Sequence, residues 1–269
     1  MDAYTGFSSS YDLFMDNIPY DNWSKYLIEL LKEYNINDGI VLELGCGTGN
    51  ITERLAKEGY DMIGIDNSYD MLDVAMEKKF DSELDILYLC QDMREFELYG
   101  TVAAIVSVCD SINYITEYHD LVQVFKLANN YLDPNGLFIF DLNTQYKYMQ
   151  IGDKTIAENR EKAIFIWENT FYEEENINEY ELTIFSQIES DENSSTDIDD
   201  DTSRPLYEKY TETHYQRAYT LDEIKSALKD AGMSYITSYN AFTHDPVAED
   251  NERIYVIAKE NGKSGKDNA

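Results

Sequence analysis

The chain has 269 residues, 43% of them apolar, enough to bury a core in one large domain or in one domain with a sizeable insertion. Its 53 acidic and 21 basic side chains leave a formal charge of −32, which argues against a nucleic-acid partner, because phosphates need a positive face. No apolar run approaches the roughly 18 residues of a membrane span and the polar start is unlike a signal peptide, so a soluble cytoplasmic protein with no membrane partner is expected. Cys46, Cys90 and Cys109 are odd in number and widely spaced, which fits neither a disulfide framework nor a zinc site. They read as small buried hydrophobes, and no metal is expected.

The first predicted element is an amphipathic helix over 21–34, with Trp23, Tyr26, Leu27, Leu30 and Leu31 near helical spacing. Between 39 and 143, short apolar runs alternate with amphipathic segments. The runs at 40–44, 62–65, 86–90, 103–109 and 137–142 read as strands, and 48–58, 68–79 and 118–132 as helices, the last ended by Asp133-Pro134-Asn135-Gly136. Strands that recur after helices must run parallel, so the sheet is open and doubly wound. The segments 163–172, 180–189 and 206–219 are instead rich in aromatic and β-branched residues with rough period-two alternation, as in antiparallel strands, and look like an inserted lid sheet. From 173 to 202 there are 12 acidic residues and no basic one, and the stretch 190–205 reads as a solvated, disordered loop without the ligand spacing of a calcium site. Thr220-Leu221-Asp222-Glu223 is a capping box whose helix runs to Ala231 and stops at Gly232. The segments 234–242 and 253–259 then form a closing antiparallel pair, and the end frays. The fold class is α/β: a mostly parallel seven-stranded, doubly wound sheet with a terminal antiparallel hairpin and an inserted antiparallel lid. The expected division is a core of 1–145 and 220–260, a lid of 146–219 and a tail of 261–269.

The residues with chemical content cluster at the ends of the predicted strands. In Leu42-Glu43-Leu44-Gly45-Cys46-Gly47-Thr48-Gly49-Asn50, an acidic residue closes an apolar strand two places before a G-x-G-x-G loop. Gly45 and Gly47 let the backbone turn and approach a ligand, and Gly49 allows the next helix to pack closely. A dinucleotide fingerprint needs glycine where Asn50 stands, and a phosphate loop needs a Gly-Lys-Ser/Thr run that is absent. Asp66 ends the second strand, where the fold presents an acceptor to ribose hydroxyls. It could equally cap the following helix, although Ser68 in Asp66-Asn67-Ser68-Tyr69-Asp70-Met71 is the better cap and would free it. Met71 could reach an adenine face or simply fill the core. Asp92, in Cys90-Gln91-Asp92-Met93, follows the third strand, where a carboxylate accepts from an exocyclic amine while the Met93 amide donates to the ring.

Residues 40–143 resemble the cofactor-binding half of the class I (Rossmann-like) S-adenosylmethionine-dependent methyltransferases, and 220–232 resembles the helix leading into that family's closing hairpin. The resemblance implies S-adenosylmethionine as cofactor and S-adenosylhomocysteine as product. It places Glu43 at the methionyl ammonium through water, the Gly45-Cys46-Gly47 turn beneath the methionine moiety, Asp66 at the ribose, Asp92 with Met93 at the adenine, and Asn67 among the cofactor-binding residues. Tyr11, Tyr20 and Trp23 resemble the aromatic N-terminal cover of small-molecule methyltransferases with an inserted sheet, including sugar-amine N-methyltransferases; each would also suit a core. The fourth strand runs into Cys109-Asp110-Ser111-Ile112-Asn113-Tyr114, and in those enzymes a histidine often stands where Tyr114 does. Asp110, Asn113 and Tyr114 are the candidates to orient the acceptor, with Asp110 alternatively a helix cap. His214, in His214-Tyr215-Gln216-Arg217-Ala218-Tyr219, is a candidate base or orienter, or else a packed strand residue; it and Arg217 face opposite ways, so at most one enters the pocket. The function implied is methyl transfer to nitrogen or oxygen of a small molecule under the lid. Methylation of a protein or RNA, and a non-catalytic cofactor-binding subunit, are the alternatives.

Overall fold

The computed structural model describes residues 18–160, 163–188 and 205–263. Helix α1 (Tyr20–Glu33) leads into β1 (Ile40–Leu44), α2 (Asn50–Lys57), β2 (Asp61–Asp66), α3 (Tyr69–Ser82), β3 (Ile86–Cys90) and β4 (Val102–Ser107). A single 3₁₀ turn (Ser111–Tyr114), α4 (Tyr118–Tyr131) and β5 (Leu132–Asn143) complete the winding. Then come α5 (Gln145–Ile151), the strands β6 (Lys154–Asn159), β7 (Ala163–Tyr172), β8 (Ile177–Gln187) and β9 (Tyr207–Arg217), and finally α6 (Leu221–Asp230), β10 (Ser234–Asn240) and β11 (Arg253–Lys259). Tyr11, nearly all of 190–205 and residues 264–269 lie outside the described residues.

Seven strands pair in the order β10-β11-β5-β4-β1-β2-β3. Strands β1 to β5 run parallel, β11 enters antiparallel to β5, and β10 antiparallel to β11. Successive side chains of each strand point to opposite faces and build two cores. Leu42, Leu44, Phe138, Phe140 and Leu142 pack on one face with Leu121, Phe125, Ile224 and Leu228 of α4 and α6. Val41, Val106, Ile139 and Ile257 pack on the other with Leu27, Leu31, Ile51 and Leu55 of α1 and α2. Two helix starts follow their capping residues: the Ser68 hydroxyl accepts from the Met71 amide, and Thr220 with Glu223 forms both halves of a capping box.

Four expectations are corrected. The expected fourth strand stops at Ser107, because Cys109 and Asp110 both adopt left-handed backbone, at φ 60° and 55°. The Asp133-to-Gly136 turn does not separate helix from strand; it is absorbed into β5, where the pairing jumps from Val102 with Leu132 to Ala104 with Leu137. The second sheet has four antiparallel strands in the order β6-β7-β8-β9, one more than the sequence shows, and α5 precedes it. A seven-residue helix and a strand as polar as Lys154–Asn159 carry too little apolar periodicity to be read.

The two sheets are stitched through Asn113, which is fully buried. Its amide nitrogen donates to the carbonyls of Asn143 (3.0 Å) at the end of β5 and Arg217 (2.8 Å) at the end of β9, while its oxygen accepts from the Asn143 amide (3.0 Å). Asn113→Ala strands these buried backbone groups, so a loss of about 2–4 kcal/mol is expected, read as a lower thermal midpoint. An unchanged midpoint would show that water replaces the side chain at no cost.

Candidate active site

The carboxyl ends of β1 to β4 meet at one cavity of about 320 Å³. Glu43 from β1, Gly45, Cys46 and Gly47 from the loop, Asp66, Asn67 and Met71 from the end of β2 and the start of α3, and Asp92 and Met93 beyond β3 all line it. Tyr20 from α1 and Tyr114 from the 3₁₀ turn complete its wall. Thr48, Asn50, Ile51, Arg94, Cys109, Ser111 and Ile115 share the lining, although the sequence assigns none of them to a site.

The loop owes its shape to glycine at two places. Gly47 has φ 53°, and a Cβ there would meet no protein atom within 4 Å, so a side chain would project into the open volume. Gly49 caps α2 in left-handed conformation, and a Cβ on it would overlap the Tyr88 hydroxyl, because the Tyr88 ring from β3 lies directly beneath the turn. Gly49 therefore packs the helix and does not touch the cavity.

Asp66 fastens this loop to β2. Its two carboxylate oxygens accept from the amides of Gly47 (2.8 Å) and Ser68 (2.9 Å). Although Ser68 caps α3, Asp66 is thus not freed of backbone; each oxygen retains a second lone pair for a ligand hydroxyl. Burial pushes the Asp66 carboxyl up, and the amides of Ser68, Gly47 and Asn67 oppose that. Glu43 is buried facing α2, where the Thr52 hydroxyl donates to it. Burial, aided by the nearby Asp66 charge and opposed by Thr52, raises its carboxyl to about 8. Asp92 differs. Burial pushes it up, but Arg94 more than offsets this through its amide (2.8 Å) and its guanidinium (2.5 Å at the shortest), holding the carboxyl below its usual range. The cation of Arg94 is consumed by Asp92 and Asp120, which leaves the cavity with an acidic lining.

Beneath the cavity, the left-handed residues Cys109 and Asp110 are held by a buried carboxylate. Asp141 accepts from both their amides (3.2 and 2.8 Å), and Arg253 bridges Asp141 and Asp110 at 2.6 Å each. The Arg253 guanidinium lies 4.8 Å over the Trp23 ring. Burial and the adjoining carboxylates push the thiols of Cys46 and Cys109 well up, so both stay protonated and inert, as small buried groups.

Several candidate residues stand elsewhere than the sequence suggested. Trp23 does not reach the cavity; it is buried against Arg253 and Phe242, because the apolar face of α1 turns into the core. Asp110 neither caps the 3₁₀ turn nor lines the cavity: its carboxylate accepts from Arg253 and from Gln216 of β9 (2.7 Å). Asn113 cannot orient an acceptor, since backbone consumes its amide. His214 does not line the cavity either, and lies in a layer behind Tyr114, to whose hydroxyl its Nδ1 is 3.3 Å. Arg217 turns away to the Thr116 carbonyl and Glu223. No signal in the chain could have paired Arg253 with Asp110 or Asp141, over a hundred positions away. The Asp92-to-Arg94 spacing, by contrast, is a local signal of an ion pair.

The donor set fits S-adenosylmethionine. That molecule carries an ammonium, a sulfonium, ribose hydroxyls and an aminopurine, and the cavity offers carboxylates, a side-chain-free turn at Gly47 and the apolar Met71 and Met93. A sequence profile of the family described as "Methyltransferase domain" matches residues 41–136. The putative methyltransferase YqeM of Bacillus subtilis (strain 168) is 32% identical over 258 residues, covering 95% of this chain and 96% of its own. A crystal structure of an S-adenosylmethionine-dependent methyltransferase from Clostridium acetobutylicum superposes with a TM-score of 0.80 at 29% identity, covering 97% of this chain and 100% of the other. The sugar N-methyltransferase KedS8 from Streptoalloteichus sp. shares the fold at a TM-score of 0.72 and 15% identity, covering 97% of each chain.

Two outcomes follow from the geometry. A valine at Gly47 meets both a left-handed backbone and the ligand volume, so Gly47→Val is expected to remove measurable S-adenosylhomocysteine binding in calorimetry; retained affinity would place the ligand elsewhere. Glu43, raised to about 8 in the fold, holds a proton that the unfolded chain releases in the usual carboxylate range. Its contribution to stability is therefore present in acid and lost as pH rises from about 5 to about 8. Melting curves without ligand are expected to show a fall in midpoint over that window that Glu43→Gln flattens, and a variant that keeps the full slope would refute this origin.

Proposed function

We propose that this chain, which belongs to the class I S-adenosylmethionine-dependent methyltransferases and uses S-adenosylmethionine as its cofactor, methylates a small molecule that reaches the cavity beside Tyr114, with an amine nitrogen favoured over oxygen. The observation that carries the reading is the cavity: about 320 Å³, with three carboxyls and one guanidinium in its lining and Tyr20 and Tyr114 in its wall, of the size of a small-ligand site. The formal charge of −32 draws cationic acceptors and repels polyanions, which favours an amine. KedS8, a sugar N-methyltransferase, superposes over 97% of this chain and suggests the same class of acceptor.

When bound, the cofactor supplies an electrophilic methyl group on a sulfonium. In this reading Glu43 faces the methionyl ammonium, Asp66 accepts from ribose hydroxyls with the lone pairs its backbone bonds leave open, and Asp92, fixed by Arg94, accepts from the adenine amine. Tyr20 and Tyr114 shield the reacting carbon from water and present aromatic faces and hydroxyl oxygen to a cation. The displacement needs an in-line nucleophile at about 3–3.5 Å, so positioning dominates. The 3₁₀ turn that carries Tyr114 is rigid enough for that task, anchored by Asn113 on one side and by the Asp141 and Arg253 pair on the other. The second sheet, β6 to β9, on this reading forms a lid over the reacting end.

Methyl-labelled S-adenosylmethionine incubated with the protein and a cell extract, followed by filtration, tests the reading. Label is expected in the small-molecule fraction, on amine-bearing species. Label confined to macromolecules would favour a protein or RNA acceptor, and a failure to form S-adenosylhomocysteine with either fraction would favour a non-catalytic subunit.

A further inference from the structure

Behind Tyr114, strand β9 turns three polar side chains inward. Glu212, His214 and Gln216 alternate along the strand, share one face and are all buried, a costly arrangement for a carboxylate unless it is partnered. Gln216 is spent on Asp110 and on the Tyr148 hydroxyl (3.0 Å). The other two continue outward from Tyr114. His214 Nδ1 lies 3.3 Å from the Tyr114 hydroxyl, and its Nε2 lies 3.3 Å from a Glu212 oxygen, with the imidazole side chain wholly inaccessible to solvent. Tyr180 of β8 stacks on that imidazole, with ring centres 4.6 Å apart and planes 6° apart, and its hydroxyl bonds that of Tyr114. Of these groups only Tyr114 reaches the cavity.

We propose that Tyr114, His214 and Glu212 form a proton relay that carries a proton from the methyl acceptor out of the cavity and into the second sheet; it rests on the amine reading above. An alkyl amine arrives at neutral pH as an ammonium, whose nitrogen has no lone pair to offer. Its N–H bond breaks as the proton passes to the Tyr114 oxygen, and the proton already on that oxygen passes to His214 Nδ1. The nitrogen keeps the electron pair of the broken bond and uses it to bond the methyl carbon, while the pair of the carbon–sulfur bond stays on sulfur. His214 becomes an imidazolium whose charge is offset by the Glu212 carboxylate, 3.3 Å from Nε2. A phenol alone is a weak proton acceptor at neutral pH; an imidazole behind it is suited to the task, and a carboxylate 3.3 Å from that imidazole stabilises its charged form. The relay requires neutral His214 to carry its proton on Nε2, leaving the Nδ1 lone pair toward Tyr114. Tyr114 is the residue that touches the acceptor, and His214 and Glu212 are positioning residues acting through it.

Long-range nitrogen–proton correlation spectra of the histidine-labelled full chain, saturated with S-adenosylhomocysteine, test this without an acceptor, with His214→Gln identifying the signal. His214 is expected as the Nε2–H tautomer, with an Nδ1 signal that shifts in Tyr114→Phe. In the labelled-methyl assay on the small-molecule fraction, Tyr114→Phe and Glu212→Gln are each expected to lower incorporation about 100-fold, with S-adenosylhomocysteine affinity unchanged. A His214 proton on Nδ1, an Nδ1 signal indifferent to Tyr114→Phe, or variants with wild-type incorporation would each overturn the relay. Should the wild type label nothing in that fraction, the amine reading fails, and the tautomer alone decides whether the relay exists.

Discussion

A parallel sheet whose strand order reverses must leave a crevice where the reversal occurs, because the connections on either side depart to opposite faces. Here the reversal falls between β1 and β4. Glu43 on β1, Asp66 at the end of β2, Asp92 just beyond β3 and the turn after β4 all sit at the carboxyl edge of that crevice, though they are spread over some seventy positions of chain. No long-range affinity between these residues is needed to gather them. The apolar registers of four strands do it, since a one-residue slip would move each strand's side chains to the other face.

Gathering acidic groups in a partly dry crevice has an electrostatic cost, and each carboxylate meets it differently. Asp92 has a guanidinium. Asp66 has two backbone amides, and in accepting them it also shapes the loop that the ligand must approach. Glu43 has only Thr52, through its hydroxyl and its amide, and stays largely protonated near neutrality. Beneath them, Asp141 and Arg253 stabilise two consecutive left-handed residues that would otherwise relax. The turn carrying Tyr114 is thereby fixed from below by an ion pair and from the side by Asn113, so the second sheet and the parallel sheet share one rigid junction.

Much of this was legible in the chain. The strands at 40–44, 86–90 and 253–259 and the helix over 118–131 carry enough apolar periodicity to be read to within a residue. That Glu43 on β1, Asp66 at the end of β2 and Asp92 beyond β3 come to one cavity was legible because the fold rule specifies where along the chain to look. Trp23 was not, because an aromatic residue on an amphipathic helix has the same signature whether it faces a ligand or a core. Asn113 looked like an acceptor-binding amide because nothing local reveals that Asn143 and Arg217 come to meet it. The network of Arg253, Asp141 and Asp110 joins strands that become neighbours only after folding, and the alternation of Glu212, His214 and Gln216 becomes informative only when Tyr114 is known to lie opposite.

A crystal structure with S-adenosylhomocysteine examines whether three successive strand ends serve one ligand. The adenine is expected beside Asp92 and Met93, the ribose hydroxyls at Asp66, the amino group toward Glu43 and the sulfur on the side of Tyr114. Density for the ligand away from this crevice, or a ligand in it that leaves Asp66 and Asp92 without contact, would contradict the assignment.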